Sequence, residues 1–394
     1  MKFEFSTARK IAFGAGAAEQ IPGLAAAYGE RAFLVLGSKT DRSQPFLDAI
    51  AARDVVTTVF NVAGEPTTET AQAAVTAARE ARVDVVIAIG GGSVMDTGKV
   101  VAAMLTNAGG LADYLEVVGK GKLLREQSAP LIAVPTTAGT GAEVTYNAVI
   151  GVPQQHVKVS MRSPLMLPRW AIVDPLLTHS MPPELTASTG LDALTQLIEA
   201  FVSNQASPLT DSLCREGIQR AARSLQKAFD DGSDAEARED MSLAGLFSGM
   251  ALANAKLGAV HGFAGPLGGM TSAPHGAICG RLLSCVMQAN VLALQNRPSD
   301  DSEGSSANAH AAMARFDEIG RLVTGKDTAT ASDAVSWTGD LATALGVPGL
   351  RRYGLSSVDF PAIVAQAKKS SSMQGNPIEL TDEELTGILE WAIG

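Results

Sequence analysis

The segment that most constrains the fold of this chain is VDVVIAIGGGSVMDTGK, residues 83–99. Residues 85–89 are apolar and mostly β-branched, which predicts a strand covered on both faces of a parallel sheet. The glycines at 90–92 permit a sharp turn, and Ser93 is placed to cap a following helix. Such a turn at a helix N-terminus can seat a phosphate group. The alternative is an ordinary tight turn, since the fingerprint G-x-G-x-x-G is absent.

Other strand-like segments alternate with helical ones through the first half of the chain. Strands are predicted within residues 1–13, at 32–40, at 55–62, from 130 into a Thr- and Gly-rich loop, and at 170–175, with an alanine-rich helix at 72–81. This alternation predicts a doubly wound parallel sheet. Ligands of such sheets bind beyond the carboxyl ends of the strands.

The pattern changes after residue 176, where strand signals nearly vanish. Helices are predicted at residues 190–202, 210–229, 242–260, 282–294, 307–322, 331–345, 359–369 and 381–393. We therefore expect an α/β protein with an N-terminal Rossmann-like parallel-sheet domain, residues 1–176, followed by an all-helical C-terminal domain, residues 177–394. Residues 296–309 are rich in Ser and Asp and are predicted to form a solvated loop.

Composition excludes several classes of protein. The formal net charge is -10 and no basic block occurs, so a nucleic-acid partner is not expected. Three cysteines without a C-x-x-C pair argue against a disulfide framework and fit a reducing, cytoplasmic setting. The longest apolar stretch, residues 241–260, contains Asn254 and Lys256, which predicts a buried helix and not a membrane span.

Hydroxyl side chains follow the strand that begins at residue 130. In PTTAGTGAEVT, Thr136, Thr137 and Thr140 could hold a ribose, a phosphate or a carboxamide together with backbone N–H groups. This loop and the glycine turn leave strands of the same predicted sheet at the same edge, which favours one shared ligand. The alternative is an ordinary glycine-rich loop.

A second group of polar residues lies in the helical half. Asp192 and Gln196 are four residues apart and share a helix face. His261 is placed at the end of an apolar helix, and His275 lies just before the next. A carboxylate, an amide oxygen and two imidazoles can make a small site for Zn²⁺ or Fe²⁺. The alternative is a helix-capping aspartate with hydrogen-bonded core histidines.

These motifs together resemble the iron-containing (group III) alcohol dehydrogenases, which share a fold with glycerol dehydrogenase and dehydroquinate synthase. The resemblance covers nearly the whole chain. It is carried, in order, by FGAG, GGGSVMDTGK, PTTAGTGAEVT, the region of Lys158, AIVDP, GLDALTQLIEAFVS and LGAVHGFAGPLGGMTSAPHGAIC. It implies an N-terminal dinucleotide-binding domain, a C-terminal domain that supplies a divalent metal and contacts substrate, and, as in many relatives, a homodimer.

The resemblance also implies roles for individual residues. The pyrophosphate seat would consist of Gly91, Gly92 and Ser93, with Asp96 beside it. The threonine loop (Thr136, Thr137, Thr140) would face the adenine and nicotinamide side of the cofactor, and Lys158 would lie near the nicotinamide ribose. The metal ligands would be Asp192, Gln196, His261 and His275.

Three positions depart from the family pattern. Gln196 stands where relatives usually have a histidine, which leaves the identity of the metal open. Gly265 replaces a histidine that faces the substrate in many relatives. Gly37 and Ser38 stand where NAD-preferring relatives often carry an aspartate, and nearby Lys39 and Arg42 could contact a 2′-phosphate, which favours NADP over NAD.

The leading hypothesis is an NAD(P)-dependent, iron-type alcohol dehydrogenase that transfers a hydride between the cofactor and a small alcohol or aldehyde. The metal would polarise the substrate oxygen. Gln196 motivates an alternative, a metal-independent reductase of the maleylacetate reductase type. A dehydroquinate-synthase-like lyase is a third possibility, but the ligand motifs lack the basic residues that its charged substrate needs. A cofactor-free binding protein conflicts with the intact glycine seat.

Overall fold

The computed structural model describes residues 2–38, 40–155, 157–297 and 303–394. It confirms the predicted fold class, a parallel six-stranded sheet domain followed by a helical domain. Two compact units are present. One spans Ser6–His179, and the other spans Ser180–Gly394 together with the N-terminal residues up to Phe5. The division at residue 176 drawn from the sequence stays a prediction.

The sheet lies in the first unit and has the strand order β1-β8-β5-β4-β2-β3, with every neighbouring pair parallel. Its strands are β1 (Ile11–Phe13), β2 (Arg31–Gly37), β3 (Val56–Val62), β4 (Val85–Gly90), β5 (Leu131–Pro135) and β8 (Trp170–Val173). The strand predicted last in sequence, β8, pairs between β1 and β5. The glycine turn therefore follows the central strand β4, next to β5.

Helices cover both faces of this sheet, which explains why its central strands are apolar throughout. The helices are α1 (Ile21–Tyr28), α2 (Gln44–Ala51), α3 (Thr68–Glu80) and α4 (Gly92–Thr106). In β4, Val86 and Ala88 pack into the core formed with α3 and α4. Val85, Ile87 and Ile89 point to the other face, toward the core formed with α1 and α2. Alternation of side chains across a strand thus fills two separate cores.

A two-stranded antiparallel hairpin was not predicted. It consists of β6 (Asn147–Val152) and β7 (Val157–Arg162), and it lies outside the parallel sheet. Ala148, Ile150 and Val152 are buried while Val149 between them is exposed, so β6 buries one face only. Such period-two alternation over six residues is a strand signal that the sequence interpretation overlooked.

The second unit is helical over its described residues. Its helices are α5 (Pro183–Val202), α6 (Pro208–Asp230), α7 (Ala235–Asn254), α8 (Ala259–Met270), α9 (His275–Asn296), α10 (Glu303–Thr324), α11 (Ala331–Ala344), α12 (Phe360–Ala367) and α13 (Asp382–Ile393). The single helix predicted over residues 242–260 is wrong, because the chain breaks between α7 and α8. The predicted loop at 296–309 is wrong from Glu303 onward, where α10 has begun; residues 298–302 lie outside the described part.

The apolar helix α9 could span a membrane by length and hydropathy, yet 78% of its most apolar window is buried inside the protein. It packs against α5, α8, α11 and α13. Helix α9 is therefore a core helix of the second unit, and it carries one end of the site described next.

Candidate active site

The glycine turn joins β4 to α4. Helix α4 begins at Gly92, and its N-cap is Gly91 in an extended conformation (φ −83°, ψ −170°). The prediction that Ser93 caps the helix is wrong, because Ser93 already lies in the first turn. A glycine N-cap has no side chain to occupy the first-turn N–H groups, so these can bind an anionic group. Contact of Ser93 with a phosphate stays a prediction.

The threonine loop lies directly beside this turn. The strands β4 and β5 pair through to Gly90 and Pro135, and the N–H of Thr136 donates to the carbonyl of Gly90 (2.9 Å). A Cβ placed on Gly91 would lie 3.4 Å from the methyl group of Thr137. The structure thus brings the two predicted cofactor loops together at the carboxyl edge of the sheet.

Contact with Thr140 is closer still. A Cβ placed on Gly92 would lie 3.1 Å from the methyl carbon of Thr140, which is tighter than ordinary van der Waals contact. A side chain at position 92 would therefore displace the threonine loop. Glycine at this position makes room for the side chain of Thr140 and is not required by an unusual backbone angle.

Asp96 is engaged by the protein itself. Its Oδ2 accepts from the N–H of Val149 in the hairpin (3.1 Å), and its Oδ1 lies 3.7 Å from Nζ of the buried Lys99. Burial raises the pKa of Asp96 despite the positive charge of Lys99. Burial also raises the pKa of nearby Glu143, to about 7. The contacts of Asp96 show a structural role, and its contact with a cofactor stays a prediction.

The remaining predicted cofactor residues lie at the end of β2 and on β7. Gly37 ends β2 and Ser38 follows it as an exposed residue, while Lys39 lies outside the described residues. Arg42 is in a short 3₁₀ helix, Thr40–Ser43. On β7, Lys158 pairs with both carboxylate oxygens of Glu65 (2.7 and 2.8 Å), a partner that the sequence interpretation missed.

The predicted metal ligands converge in the helical unit. Asp192 on α5 places its Oδ1 3.3 Å from Nε2 of His261 and 3.7 Å from Nε2 of His275. His261 lies in the first turn of α8, so the prediction that it ends the preceding helix is wrong; His275 is the first residue of α9. The side chain of Asp192 is 4% exposed and that of His275 is 44% exposed, so the cluster is reached from the His275 side.

Glu199 fixes the orientation of His261. Its Oε2 lies 2.5 Å from Nδ1 of His261, and its Oε1 accepts from the N–H of Val260 (2.7 Å). Since Nδ1 is bound to a carboxylate, Nε2 is the nitrogen left to face Asp192 and a metal. This carboxylate–histidine arrangement is typical of metal sites. Glu199 follows Asp192 by seven residues on the same face of α5, but the sequence interpretation did not identify it.

Gln196 binds the carboxylate of Asp192 from the other side. Its Nε2 donates to Asp192 Oδ2 (3.0 Å), so Oδ1 is the oxygen that faces the two histidines. The Oε1 of Gln196 is buried and has no hydrogen-bond partner among the described residues. An unpartnered buried oxygen is costly unless a ligand satisfies it. Direct ligation by Gln196 stays a prediction, to which this oxygen lends support.

Cys279 completes the cluster and was missed from the sequence. It lies one turn after His275 on α9, is fully buried, and places its Sγ 3.7 Å from His275 Nε2 and 3.8 Å from His261 Nε2. The H-x-x-x-C spacing from 275 to 279 was the available signal, because residues four apart share a helix face. One donor atom from each of Asp192, His261, His275 and Cys279 lies within 4.8 Å of the other three.

The electrostatics of the cluster are those of a coupled ionic group. Burial raises the pKa of Asp192, but hydrogen bonding from His261 and the charges of both histidines bring it below its usual value. The negative charge of Cys279 raises the pKa of His275 to about 9, against the effect of burial. Burial lowers the pKa of His261, yet the charges of Cys279 and Glu199 raise it well above the usual range. The negative charges of Asp192, Cys279 and Glu199 thus favour positive charge on the histidines, or on a cation bound between them.

The spacing of these atoms fits a divalent metal. Bonds of about 2.0–2.3 Å to nitrogen, oxygen and sulfur in a tetrahedral site put neighbouring donor atoms about 3.3–3.7 Å apart. Oxygen and nitrogen donors fall at about 3.3–3.5 Å. Asp192 Oδ1 lies 3.3 Å from Nε2 of His261, within these limits, and 3.7 Å from Nε2 of His275, slightly beyond them. The residues present therefore suit a divalent cation such as Zn²⁺ or Fe²⁺.

Comparison with known families gives two matches that together cover nearly all of the chain. The model for "Iron-containing alcohol dehydrogenase" matches residues 8–175. The model for "Fe-containing alcohol dehydrogenase family, C-terminal" matches residues 186–393. The second match alone spans more than half of the chain.

Individual proteins and solved structures agree with these matches. The 1,3-propanediol dehydrogenase of Klebsiella pneumoniae is 35% identical over 316 residues, which are 80% of this chain and 77% of that protein. A crystal structure of a 1,3-propanediol oxidoreductase is 30% identical, with a TM-score of 0.89 and complete coverage of both chains. Sulfoacetaldehyde reductase from Bifidobacterium kashiwanohense, solved in complex with NAD⁺, is 29% identical, with a TM-score of 0.86 over 100% of this chain and 99% of that one.

Proposed function

Because the chain belongs to the iron-containing alcohol dehydrogenase family, we propose that it transfers a hydride between NAD(P) and a small alcohol or aldehyde at a divalent metal centre. The observation that supports this proposal most strongly is that Asp192 Oδ1, His261 Nε2 and His275 Nε2 lie close enough together to bind one metal ion. Gln196 occupies the position at which relatives usually carry a further histidine ligand. No other group of three or more His, Cys, Asp or Glu donors of this kind occurs in the described part of the chain.

The names of similar proteins support the substrate class. They include dehydrogenases of 1,3-propanediol and a reductase of sulfoacetaldehyde, so both directions of the same redox reaction occur among relatives. The substrates named there are small and carry a hydroxyl or aldehyde group. We extend only this class, a small alcohol or aldehyde, to the present chain.

In this proposal the residues position the reacting groups. When bound, the metal supplies a Lewis acid for the substrate oxygen, and the nicotinamide supplies the redox chemistry. Glu199 holds His261 in the tautomer that leaves Nε2 free for the metal. Gln196 holds the Asp192 carboxylate so that Oδ1 faces the centre. The exposed side of His275 gives substrate access, and open space around Gly265 leaves room for it.

The glycine turn would bind the cofactor through Gly91, Gly92 and Ser93. We propose that the threonine loop holds the nucleoside portions, because it contacts the turn directly. Exposed Ser38 carries no negative charge to repel a 2′-phosphate, so NADP is the proposed preference. The expected result is a lower Kd for NADP than for NAD, reversed by Ser38→Asp; a wild-type preference for NAD would refute it.

One observation favours a second candidate, the metal-independent reductase. Gln196 replaces an imidazole and its amide is bound to Asp192, while the two histidines and Asp192 already satisfy one another through ion pairs. In that case His275, the exposed histidine of the cluster, would bind the substrate oxygen by hydrogen bonding.

Chelation separates the two candidates. Protein stripped of metal is assayed with NADH and NADPH against a panel of small aldehydes, then reconstituted with Zn²⁺ or Fe²⁺. The proposal expects activity to disappear on stripping and to return with about one equivalent of metal per chain. Full activity of the stripped protein would instead support the metal-independent reductase. Light scattering of the same samples tests the homodimer expected from the family.

A further inference from the structure

We infer that Cys279 is a thiolate ligand of the metal centre and that the site is therefore selective for zinc over ferrous iron. This inference rests on the proposed metal centre of Asp192, His261 and His275, and it concerns which additional donor completes that centre. The family pattern places a third imidazole at position 196, where this chain has an amide. A fourth donor of similar strength would have to come from a different side chain.

The position of Cys279 is that of a ligand. Its Sγ lies 3.7 and 3.8 Å from the two histidine Nε2 atoms, and the same sulfur lies within 4.8 Å of the Asp192 donor oxygen. With a sulfur bond of about 2.3 Å and nitrogen bonds of about 2.0–2.1 Å, a tetrahedral centre puts sulfur and nitrogen about 3.6 Å apart. The four atoms therefore surround a point from which each can reach a metal.

Gln196 is less suited to this position. Its Nε2 is committed to Asp192 Oδ2, and a carboxamide oxygen is a neutral and weak donor. A thiolate is both charged and soft, so it compensates for the missing imidazole. Gln196 then acts on Asp192 as a positioning residue, and its Oε1 remains as an acceptor at the edge of the site.

Thiolate ligation has a consequence for metal choice. Soft sulfur donors favour zinc, whereas imidazole and carboxylate donors alone suit zinc and ferrous iron alike. We expect protein expressed in medium containing both metals to carry mainly zinc. Replacement of the sulfur by oxygen in Cys279→Ser should lower that preference.

The other two cysteines provide matched controls. Cys285 lies on the same helix and is also buried, but its sulfur contacts the carbonyl of Arg281 (3.6 Å) and is not part of the cluster. Cys214 lies on α6, and burial raises its pKa. Cys285→Ser therefore makes the same chemical change in the same helix outside the cluster.

The test uses the full chain loaded with Co²⁺, with metal content measured by mass spectrometry and ligation by absorption spectra. The wild type and Cys285→Ser should show a near-ultraviolet thiolate-to-cobalt charge-transfer band, and Cys279→Ser should lose it. The Cys279→Ser protein should also bind Zn²⁺ at least about tenfold more weakly, since even outer partners of a metal site contribute about 10- to 100-fold. X-ray absorption of the wild-type zinc protein should show one sulfur neighbour at about 2.3 Å.

The outcomes separate this inference from the proposed function. Bound cobalt without the charge-transfer band, or zinc with only nitrogen and oxygen neighbours, would overturn ligation by Cys279 while leaving the metal centre in place. A wild-type protein that binds neither metal would refute the centre and this inference together. The X-ray absorption measurement needs no variant, so a Cys279→Ser protein that fails to fold would not leave the inference untested.

Discussion

Replacing Glu199 by glutamine should weaken metal binding while leaving the fold intact. The carboxylate accepts from His261 Nδ1 at 2.5 Å and from the N–H of Val260 at 2.7 Å. Glutamine has the same shape but only one accepting oxygen. If that oxygen stays with Val260, the amide nitrogen faces His261 Nδ1 and forces the ring proton onto Nε2. A protonated Nε2 cannot bind the metal.

The size of this effect can be taken from residues that, like Glu199, hydrogen-bond to a metal ligand without binding the metal themselves. Loss of such a partner lowers metal affinity by about 10- to 100-fold, which is about 1.4–2.7 kcal/mol in binding free energy. If the amide turns the other way, its N–H₂ meets the N–H of Val260, and the loss appears in the stability of the first turn of α8. In both arrangements the variant is worse than the wild type, because one buried donor loses its acceptor.

The assay is competition for Zn²⁺ between the protein and a chelator of known affinity, near neutral pH. The matched control is Glu184→Gln, which makes the same change at an exposed position in the first turn of the same helix, α5. Circular dichroism checks that both variants are folded. Zinc affinity of Glu199→Gln equal to that of Glu184→Gln would refute the role assigned to this carboxylate.

Three further predictions concern other parts of the molecule. Burial raises the pKa of Glu143 from 4.5 to about 7 in the folded protein. Its stabilising contribution is therefore fully present below pH 4.5 and is lost as the pH rises from 4.5 to 7, by about 3 kcal/mol in total. Glu143→Gln should flatten the fall of Tm between pH 5 and 7, and an identical fall in both proteins would contradict this. Gly92→Ala should weaken NAD(P) binding by about tenfold (about 1.4 kcal/mol). Adding Thr140→Ser removes the methyl group that the new side chain would touch, so it should restore part of the lost affinity. Calorimetry that shows no loss of affinity in Gly92→Ala would count against phosphate binding at the glycine turn. Gly258→Ala places a Cβ 2.9 Å from two buried oxygens, so it should lower the free energy of unfolding by about 1–3 kcal/mol. The control is Gly265→Ala, whose Cβ meets open space, and Gly258→Ala should have the lower Tm. Equal Tm values would contradict the packing described.

The sequence predicts the α/β unit well where local pattern and tertiary packing agree. The strand before Gly90 is apolar on both sides because helices cover both faces of the sheet, and that pattern can be read directly. The hairpin β6–β7 was missed because it lies outside the parallel sheet and its two strands follow one another without an α-helix between them. The alternation of buried and exposed residues in β6 is visible in the sequence, but we expected every strand to be followed by a helix and did not predict a hairpin.

The helical unit shows the limit of local patterns. The break between α7 and α8 was missed because residues 255–258 contain no proline, and apart from Lys256 they continue the small, apolar pattern of the helices around them. Tertiary hydrogen bonds stabilise the start of α8. The Glu199 carboxylate accepts from the N–H of Val260, and the side-chain oxygen of Asn376 accepts from the N–H of Ala259 (3.1 Å). These partners are 61 and 117 residues away in sequence, so no local signal marks the boundary.

The sequence predicts the main metal ligands of the site but not the side chains that contact those ligands. Asp192, His261 and His275 are chemically conspicuous and lie in family motifs, and the structure brings them together. Glu199 and Cys279 lie on the same helix faces as Asp192 and His275, yet a buried glutamate or cysteine has many other uses in a helix. Only the three-dimensional arrangement of α5, α8 and α9 shows what these two side chains contact.

The most direct test of the metal centre is anomalous X-ray diffraction from crystals of the metal-loaded protein, recorded on both sides of the zinc and iron absorption edges. The account predicts a single strong anomalous peak within bonding distance of Asp192 Oδ1, His261 Nε2 and His275 Nε2. Fully occupied crystals with no anomalous peak among these three atoms, or with the metal bound elsewhere on the chain, would contradict it.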